Sequence, residues 1–145
     1  MLDLNDITEL KVASGLRVLV VDDNVDQAAM LATLVGRWGH TCMIAHTASE
    51  AVKAAESFRP RVVLLDLGLP DRHGYDLADM LREQGGERKL YFIAVTGWGQ
   101  IADQIRSSSS GISHHLMKPV NHDVLRELLR AYAQTNHAAE MPQSA

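Results

Sequence analysis

Several polar side chains stand where short apolar runs of the sequence end. The neighbouring carboxylates of Asp22 and Asp23 follow one such run, and Asp66 ends another. Thr96 ends a third run, and Lys118 follows a fourth. If these runs are parallel strands and the Asp22 strand lies beside the Asp66 strand, all five side chains meet in one pocket at the carboxyl edge of the sheet.

Three carboxylates, one hydroxyl and one ammonium group in a single pocket indicate phosphoryl chemistry. The carboxylates cannot all stay ionised at close range without a compensating charge. A hard divalent cation supplies that charge, and Mg²⁺ is the usual one where phosphate also binds. Thr96 and Lys118 then face an anion, because both groups donate to phosphate oxygens. Taken alone, the Asp22 and Asp23 pair is more typical of a solvated turn or a helix cap.

The elements that would position these residues alternate along the chain. Short Val- and Leu-rich runs are typical of strands buried on both faces, and segments with apolar residues at helical spacing follow them. Strands are predicted at 17–21, 41–46, 61–66, 90–95 and about 113–117. Five strand–helix units of this kind predict an α/β fold with a doubly wound parallel sheet and helices on both faces.

Capping residues predict where the helices begin and end. Asn24 with Gln27 and Thr47 with Glu50 have the spacing of N-terminal capping pairs, and Gly39 is a C-terminal stop. Further helices are predicted through Leu77, Met80 and Leu81 up to Gly85 and Gly86, over roughly 100–108, and from 121 onward. Residues 1–15 are predicted to form an N-terminal extension, 16–134 a single folded domain, and 135–145 a flexible tail.

Composition excludes several classes of protein. The 145 residues carry a formal net charge of −4, which gives no basic surface for direct binding of nucleic acid. The apolar runs are too short for membrane insertion, and no basic segment of a secretory signal opens the chain. The single cysteine, Cys42, offers no disulfide, which favours a cytoplasmic location. We expect a monomer or a weak dimer.

Four motifs carry a family resemblance. The stretches "VLVVDDN", "VVLLDLGLPDRHGYD", "AVTG" and "MKPV" resemble, in order and spacing, the signatures of receiver domains of two-component response regulators. The stretch "HHLMKPV" is similar to the corresponding stretch of receivers attached to hybrid histidine kinases. The resemblance covers 16–134 and implies a flavodoxin-like (βα)5 fold with strand order 2-1-3-4-5.

The resemblance also implies a phosphoacceptor and a metal site. Asp66 matches the aspartate that accepts a phosphoryl group from a phosphohistidine. Asp22, Asp23 and Asp66 match the residues that hold Mg²⁺, with Asp23 as a direct ligand, and the backbone carbonyl of Gly68 matches a further ligand. The implied partners are a sensor histidine kinase or a histidine phosphotransfer protein, and the downstream target is expected to be another protein.

The remaining site residues match the family's switch, with one departure. Thr96 and Lys118 correspond to the switch hydroxyl and the phosphate-binding lysine, and the bond from Lys118 to Pro119 is typically cis in the family. Gly97 is expected to leave the pocket open to a phosphoryl donor. His115 stands where the family usually has Tyr or Phe, so the usual aromatic movement is expected to be altered or absent.

Two other functions compete with phosphoacceptor signalling. An aspartate-dependent phosphohydrolase resembling the haloacid dehalogenase superfamily would carry a second acid two residues after its nucleophile, but here that residue is Gly68. A receiver-like interaction module that is never phosphorylated usually lacks an acid or the lysine, and this chain keeps them all. The sequence therefore favours a signalling domain, not an enzyme.

Overall fold

The computed structural model of the protein describes residues 15–97 and 111–140, which contain five strands and four helices. The strands are β1 (Arg17–Val21), β2 (Thr41–Ala45), β3 (Val62–Asp66), β4 (Tyr91–Thr96) and β5 (His114–Met117). The helices are α1 (Val25–Arg37), α2 (Ala48–Phe58), α3 (Gly74–Gly85) and α4 (His122–Glu140). The helix predicted over 100–108 lies outside the described residues.

All five strands are parallel and form one sheet in the order β2-β1-β3-β4-β5, so the predicted fold class and strand order are confirmed. Val21 at the end of β1 pairs with Leu65, and Asp66 pairs with Val95. Thr96 pairs with Met117, which directly precedes Lys118. The register therefore brings the ends of β1, β3, β4 and β5 to the same edge of the sheet.

The sheet separates two apolar clusters, one on each face. Val18 and Val20 of β1 pack into one cluster with α1 and α4, whereas Leu19 and Val21 pack into the other with α2 and α3. Neighbouring residues point to opposite faces because side chains alternate along a strand. Every residue of β3 is buried, as expected for a strand covered on both sides.

Side chains at the helix ends behave as the sequence predicts. The Asn24 side chain accepts a hydrogen bond from the Gln27 amide, and Thr47 accepts one from the Glu50 amide at 3.1 Å. These bonds satisfy amides that the first helical turn leaves without partners. Gly39, just beyond α1, has a φ of 96°, a conformation that favours glycine.

The last helix is longer than predicted. It continues to Glu140, whereas the sequence predicts a tail from residue 135. Residues 135–140 contain no glycine or proline, so nothing stops a helix that is already formed; Pro142 is the first strong breaker. The 19-residue α4 carries four charged side chains between Asp123 and Arg130, and no helix in the described ranges is apolar enough to span a membrane.

His40 gives the fold a dependence on pH. Its Nδ1 accepts the Leu16 amide at 3.0 Å, and burial lowers the pKa of the ring below its ordinary value. The neutral ring is therefore favoured in the folded protein. Its stabilising contribution is complete above about pH 6.5, the unfolded pKa, and is lost as the pH falls from there through the folded pKa.

We expect urea unfolding to show this loss between pH 8 and pH 5. The control is His40→Asn, since the asparagine oxygen can accept the same amide but does not titrate. The wild-type free energy of unfolding should fall more steeply than that of the variant as the pH drops. Equal slopes for the two proteins would contradict the assignment.

Candidate functional site

Three acids meet at the carboxyl edge of the sheet. Asp22 follows β1 and is 1% exposed, and Asp66 ends β3 and is 5% exposed. Asp23, next to Asp22, is exposed. One carboxylate oxygen from each of the three lies within 4.8 Å of the others. The adjacency of β1 and β3 thus produces the acidic pocket that the strand ends predict.

Backbone amides fix the orientation of the two buried carboxylates. Asp22 Oδ1 accepts the Asn24 amide at 2.9 Å, and Asp66 Oδ1 accepts the Gly68 amide at the same distance. In both cases the donor lies two residues after the acid, in the loop that leaves the strand. The second oxygen of each carboxylate, Oδ2, is the one nearer to Lys118.

Lys118 completes the pocket from β5. Its Nζ lies 3.1 Å from Asp66 Oδ2 and 3.9 Å from Asp22 Oδ2. Its backbone amide donates to the Thr96 carbonyl at 2.8 Å, and the peptide bond to Pro119 is cis. Among the described residues, no other Lys or Arg lies within 4 Å of these two carboxylates. One ammonium group therefore balances two buried carboxylates and an exposed one.

The balance is incomplete at Asp22. Burial raises the pKa of its carboxyl above the ordinary value, and the neighbouring Asp66 charge acts in the same direction. The Asn24 amide and the Lys118 charge act in the opposite direction but do not cancel the effect of burial. The pocket would therefore be stabilised by a further positive charge.

The pocket suits a hard divalent cation. Its donor atoms are carboxylate oxygens, which Mg²⁺ and Ca²⁺ prefer, and the geometry lets Asp22, Asp23 and Asp66 each offer one. The raised pKa of Asp22 also indicates that a cation would stabilise the pocket. Gly68 is exposed in the loop after Asp66, with its amide bound to that carboxylate. The metal-binding role of its carbonyl stays a prediction.

Thr96 has a buried hydroxyl with no hydrogen-bond partner in the described part of the chain. Thr96 ends β4 and is 0% exposed. A buried hydroxyl without a partner costs free energy, because folding removes its hydrogen bonds to water. Thr96 is thus placed as a donor that an incoming anion could engage.

Replacing Thr96 with valine should stabilise the protein. The substitution keeps the shape and removes the hydroxyl, so we expect the free energy of unfolding to rise by about 1 kcal/mol. The control is Thr47→Val, which removes the capping oxygen for Glu50 and should lower it by about 1 kcal/mol. Urea unfolding measures the free energy of unfolding of both variants. A lower free energy in Thr96→Val would show that the Thr96 hydroxyl has a hydrogen-bond partner.

The other residues singled out in the sequence lie near this pocket or along β5. Gly97 directly follows Thr96 and is half-buried. His115 is half-buried on β5 beside Ala94, and burial together with the neighbouring His114 lowers its pKa. Both effects favour the neutral ring. The roles assigned to both residues stay predictions.

Three residues with contacts around the pocket were not singled out from the sequence. His46 Nδ1 lies 2.9 Å from the Asp22 carbonyl, and Asp71 reaches the first turn of α2. Gly74 opens α3 so close to β3 that an added Cβ would lie 2.8 Å from the Leu67 Cα. Of the three, only Gly74 had a local signal in the sequence, because it is a glycine within a turn-rich segment. The contacts of His46 and Asp71 join residues far apart in sequence, which no local pattern indicates.

Comparison with known proteins identifies the family. The model of the response regulator receiver domain matches residues 18–130. The sensor histidine kinase RcsC of Salmonella typhimurium is 32% identical over 117 residues, which cover 81% of this chain and 12% of that protein. The DNA-binding response regulator MtrA of Mycolicibacterium paratuberculosis is 31% identical over 120 residues, covering 83% of this chain and 52% of MtrA. The chain thus spans only part of these two relatives.

Other similar proteins are of comparable length. PilH of Pseudomonas aeruginosa is 27% identical over 115 residues, covering 79% of this chain and 95% of PilH. A CheY-like receiver domain protein from Methanospirillum hungatei superimposes with a TM-score of 0.77 at 26% identity, over 88% of this chain and 99% of that one. These likenesses accord with the flavodoxin-like topology. The chain belongs to the receiver domain family of two-component response regulators.

Proposed function

We propose that this receiver domain accepts a phosphoryl group onto Asp66 from a phosphohistidine, in a reaction that depends on Mg²⁺. The observation that carries the proposal is the placement of the Asp66 carboxylate. It lies beside the Lys118 ammonium group and within 4.8 Å of two further acids. Lys118 provides the positive charge that a phosphoryl oxygen needs, and the acids provide a site for a cation.

Transfer would exchange one bond to phosphorus for another. A carboxylate oxygen of Asp66 attacks phosphorus in line, the bond from phosphorus to the imidazole nitrogen breaks, and that electron pair returns to the imidazole. Asp22, Asp23 and Asp66 would hold the Mg²⁺ ion, which offsets the negative charge of the acids and of the transferring group. Gly68 is proposed to add its carbonyl oxygen to that set.

After transfer, Thr96 and Lys118 are proposed to bind the new phosphoryl oxygens. The aspartyl phosphate carries about −1.5 to −2 charge if it behaves like other phosphorylated side chains. Lys118 then exchanges its contact with Asp66 for one with the phosphoryl group, and the Thr96 hydroxyl gains a partner. Because Lys118 follows β5 and Thr96 ends β4, these movements would signal through that side of the domain. With His115 in place of Tyr or Phe, the usual ring movement is proposed to be altered or absent in this switch.

The proposed partners follow from the family and the relatives. Receiver domains are phosphorylated by histidine kinases, and RcsC is itself a sensor histidine kinase. We propose that a sensor histidine kinase or a histidine phosphotransfer protein is the donor, in the cytoplasm. Gly68 offers no second carboxyl group for sustained phosphatase turnover, so the domain is proposed to signal or relay the phosphoryl group without acting as an enzyme.

Intact mass spectrometry tests the proposal. The protein is incubated with acetyl phosphate and Mg²⁺, beside a metal-free sample and the variant Asp66→Asn. We expect one added phosphoryl group in the first sample and none in the other two. An adduct that persists in Asp66→Asn would contradict the assignment of the acceptor. Absence of both an adduct and Mg²⁺ binding by calorimetry would favour an interaction module that is not phosphorylated.

A further inference from the structure

The side chain of Asp71 joins two loops beside the pocket. Asp71 lies in the loop between β3 and α3, five residues after Asp66. Its carboxylate accepts the Ala48 amide at 2.9 Å and the Ser49 amide at 3.2 Å. Both amides belong to the first turn of α2, which follows a different strand. A residue of the Asp66 loop therefore caps a neighbouring helix.

Asp71 shares the capping of α2 with Thr47. Thr47 accepts the Glu50 amide, so the two side chains together satisfy the first three amides of the helix. The hydrogen bond from Ala48 is the main reason that the pKa of Asp71 lies below its ordinary value. The carboxylate is thus ionised near neutral pH, as a helix N-terminus favours. Of these capping bonds, those of Asp71 join α2 to the loop after Asp66, whereas the Thr47 bond lies within the chain segment that leads into α2.

The same loop is also fixed at its two ends, by hydrogen bonds between residues that are closer in sequence. At its start, the Gly68 amide donates to the Asp66 carboxylate. At its end, the Gly74 amide donates to the Leu67 carbonyl at 3.2 Å. Asp71 lies between these two points, on the outer part of the loop. Leu69 of the same loop is buried in the apolar cluster that includes α2 residues, and the Asp71 hydrogen bonds add a polar attachment of the outer part of the loop to α2.

We propose that Asp71 is a positioning residue for the phosphoacceptor site. By tying the loop to α2, it sets the backbone at Gly68, the residue proposed to supply a carbonyl ligand to the metal. The inference rests on the proposed function, and it concerns a residue that lies outside the pocket and does not touch the acids. Outer groups that orient metal ligands commonly affect metal affinity without contacting the ion.

Mg²⁺ titration by calorimetry compares Asp71→Ala with a matched control, Thr47→Ala. Both variants remove a cap from α2, but only the first releases the loop. We expect the Mg²⁺ dissociation constant to rise about tenfold in Asp71→Ala, the low end for such outer groups. The dissociation constant should stay within about twofold of the wild-type value in Thr47→Ala. Asp71→Asn keeps one acceptor oxygen, so its dissociation constant should lie between those of the wild type and Asp71→Ala. Equal effects in Asp71→Ala and Thr47→Ala would overturn the inference.

Amide hydrogen exchange gives a second readout that needs no metal. In the metal-free protein, Asp71→Ala should speed exchange at the Gly68 and Gly74 amides, whereas Thr47→Ala should speed it only in α2. Unchanged exchange in the loop would overturn the inference even if metal affinity falls. The two proposals can fail separately. A wild type that binds no Mg²⁺ contradicts the proposed function, whereas wild-type affinity in Asp71→Ala contradicts only the role of Asp71.

Discussion

Lys118→Ala should accept a phosphoryl group from acetyl phosphate at roughly a hundredth of the wild-type rate, the usual loss when one donor to a developing charge is removed. In the wild type, Lys118 Nζ lies 3.1 Å from Asp66 Oδ2. An anionic donor would otherwise approach a pocket that contains three carboxylates. Intact mass measured over a time course, at saturating Mg²⁺, gives the rate.

The same variant should bind Mg²⁺ more tightly than the wild type. The Lys118 ammonium group and the cation compete for the carboxylates of Asp22 and Asp66, so removing one favours the other. Opposite changes in metal affinity and phosphorylation rate would separate loss of the lysine from general misfolding. Lys53→Ala, on the exposed side of α2, is the control and should change neither quantity. A wild-type rate in Lys118→Ala would contradict its role at the phosphoryl group.

Gly74→Ala should destabilise the protein by about 2–3 kcal/mol, as overpacking of a close contact does. The new Cβ would lie 2.8 Å from the Leu67 Cα and 3.2 Å from the Asp66 carbonyl oxygen. The backbone at Leu67 cannot yield as a flexible side chain could, so α3 or the end of β3 must shift. Since Asp66 is part of that strand end, the variant should also lose phosphorylation and Mg²⁺ binding.

Gly36→Ala is the matched control for Gly74→Ala. Gly36 lies in α1, and an added Cβ there meets nothing within 4 Å. Alanine is the better helix former, so this variant should gain about 0.5–1 kcal/mol. Urea unfolding of both variants gives the two free energies. If Gly74→Ala matches the wild type in stability, the close approach of α3 to β3 is not a constraint on the fold.

The sheet and its polar edge could be predicted from the sequence for a physical reason. Strands covered on both faces are continuous apolar runs, and the first polar residue after each run marks its end. Asp22, Asp66 and Thr96 are such residues, and parallel pairing brings strand ends to one edge. The caps at Asn24 and Thr47 depend on residues three positions apart, so local spacing was sufficient to find them too.

Contacts between distant loops could not be predicted in this way. The hydrogen bond from the Ala48 amide to the Asp71 carboxylate joins residues 23 positions apart, and no periodicity connects them. The end of α4 was also missed, because polar residues after 134 suggested a tail although they continue the helix. In the same way, the close approach of Gly74 to Leu67 depends on how α3 packs against the sheet, which a single sequence does not specify.

The full burial of β3 has a consequence for strand alignment. In a sheet with one wet face, shifting a strand by one residue exposes its apolar side chains, and this cost fixes the alignment. Here both faces are dry, so a shifted β3 would still present Val and Leu to each side. What a shift would change is the environment of the charged ends, since it would draw Asp66 or Arg61 in among apolar neighbours at a high desolvation cost. Asp66, the proposed phosphoacceptor, thus also disfavours a shifted pairing register of β3. An apolar residue at position 66 would remove both the acceptor and this desolvation cost.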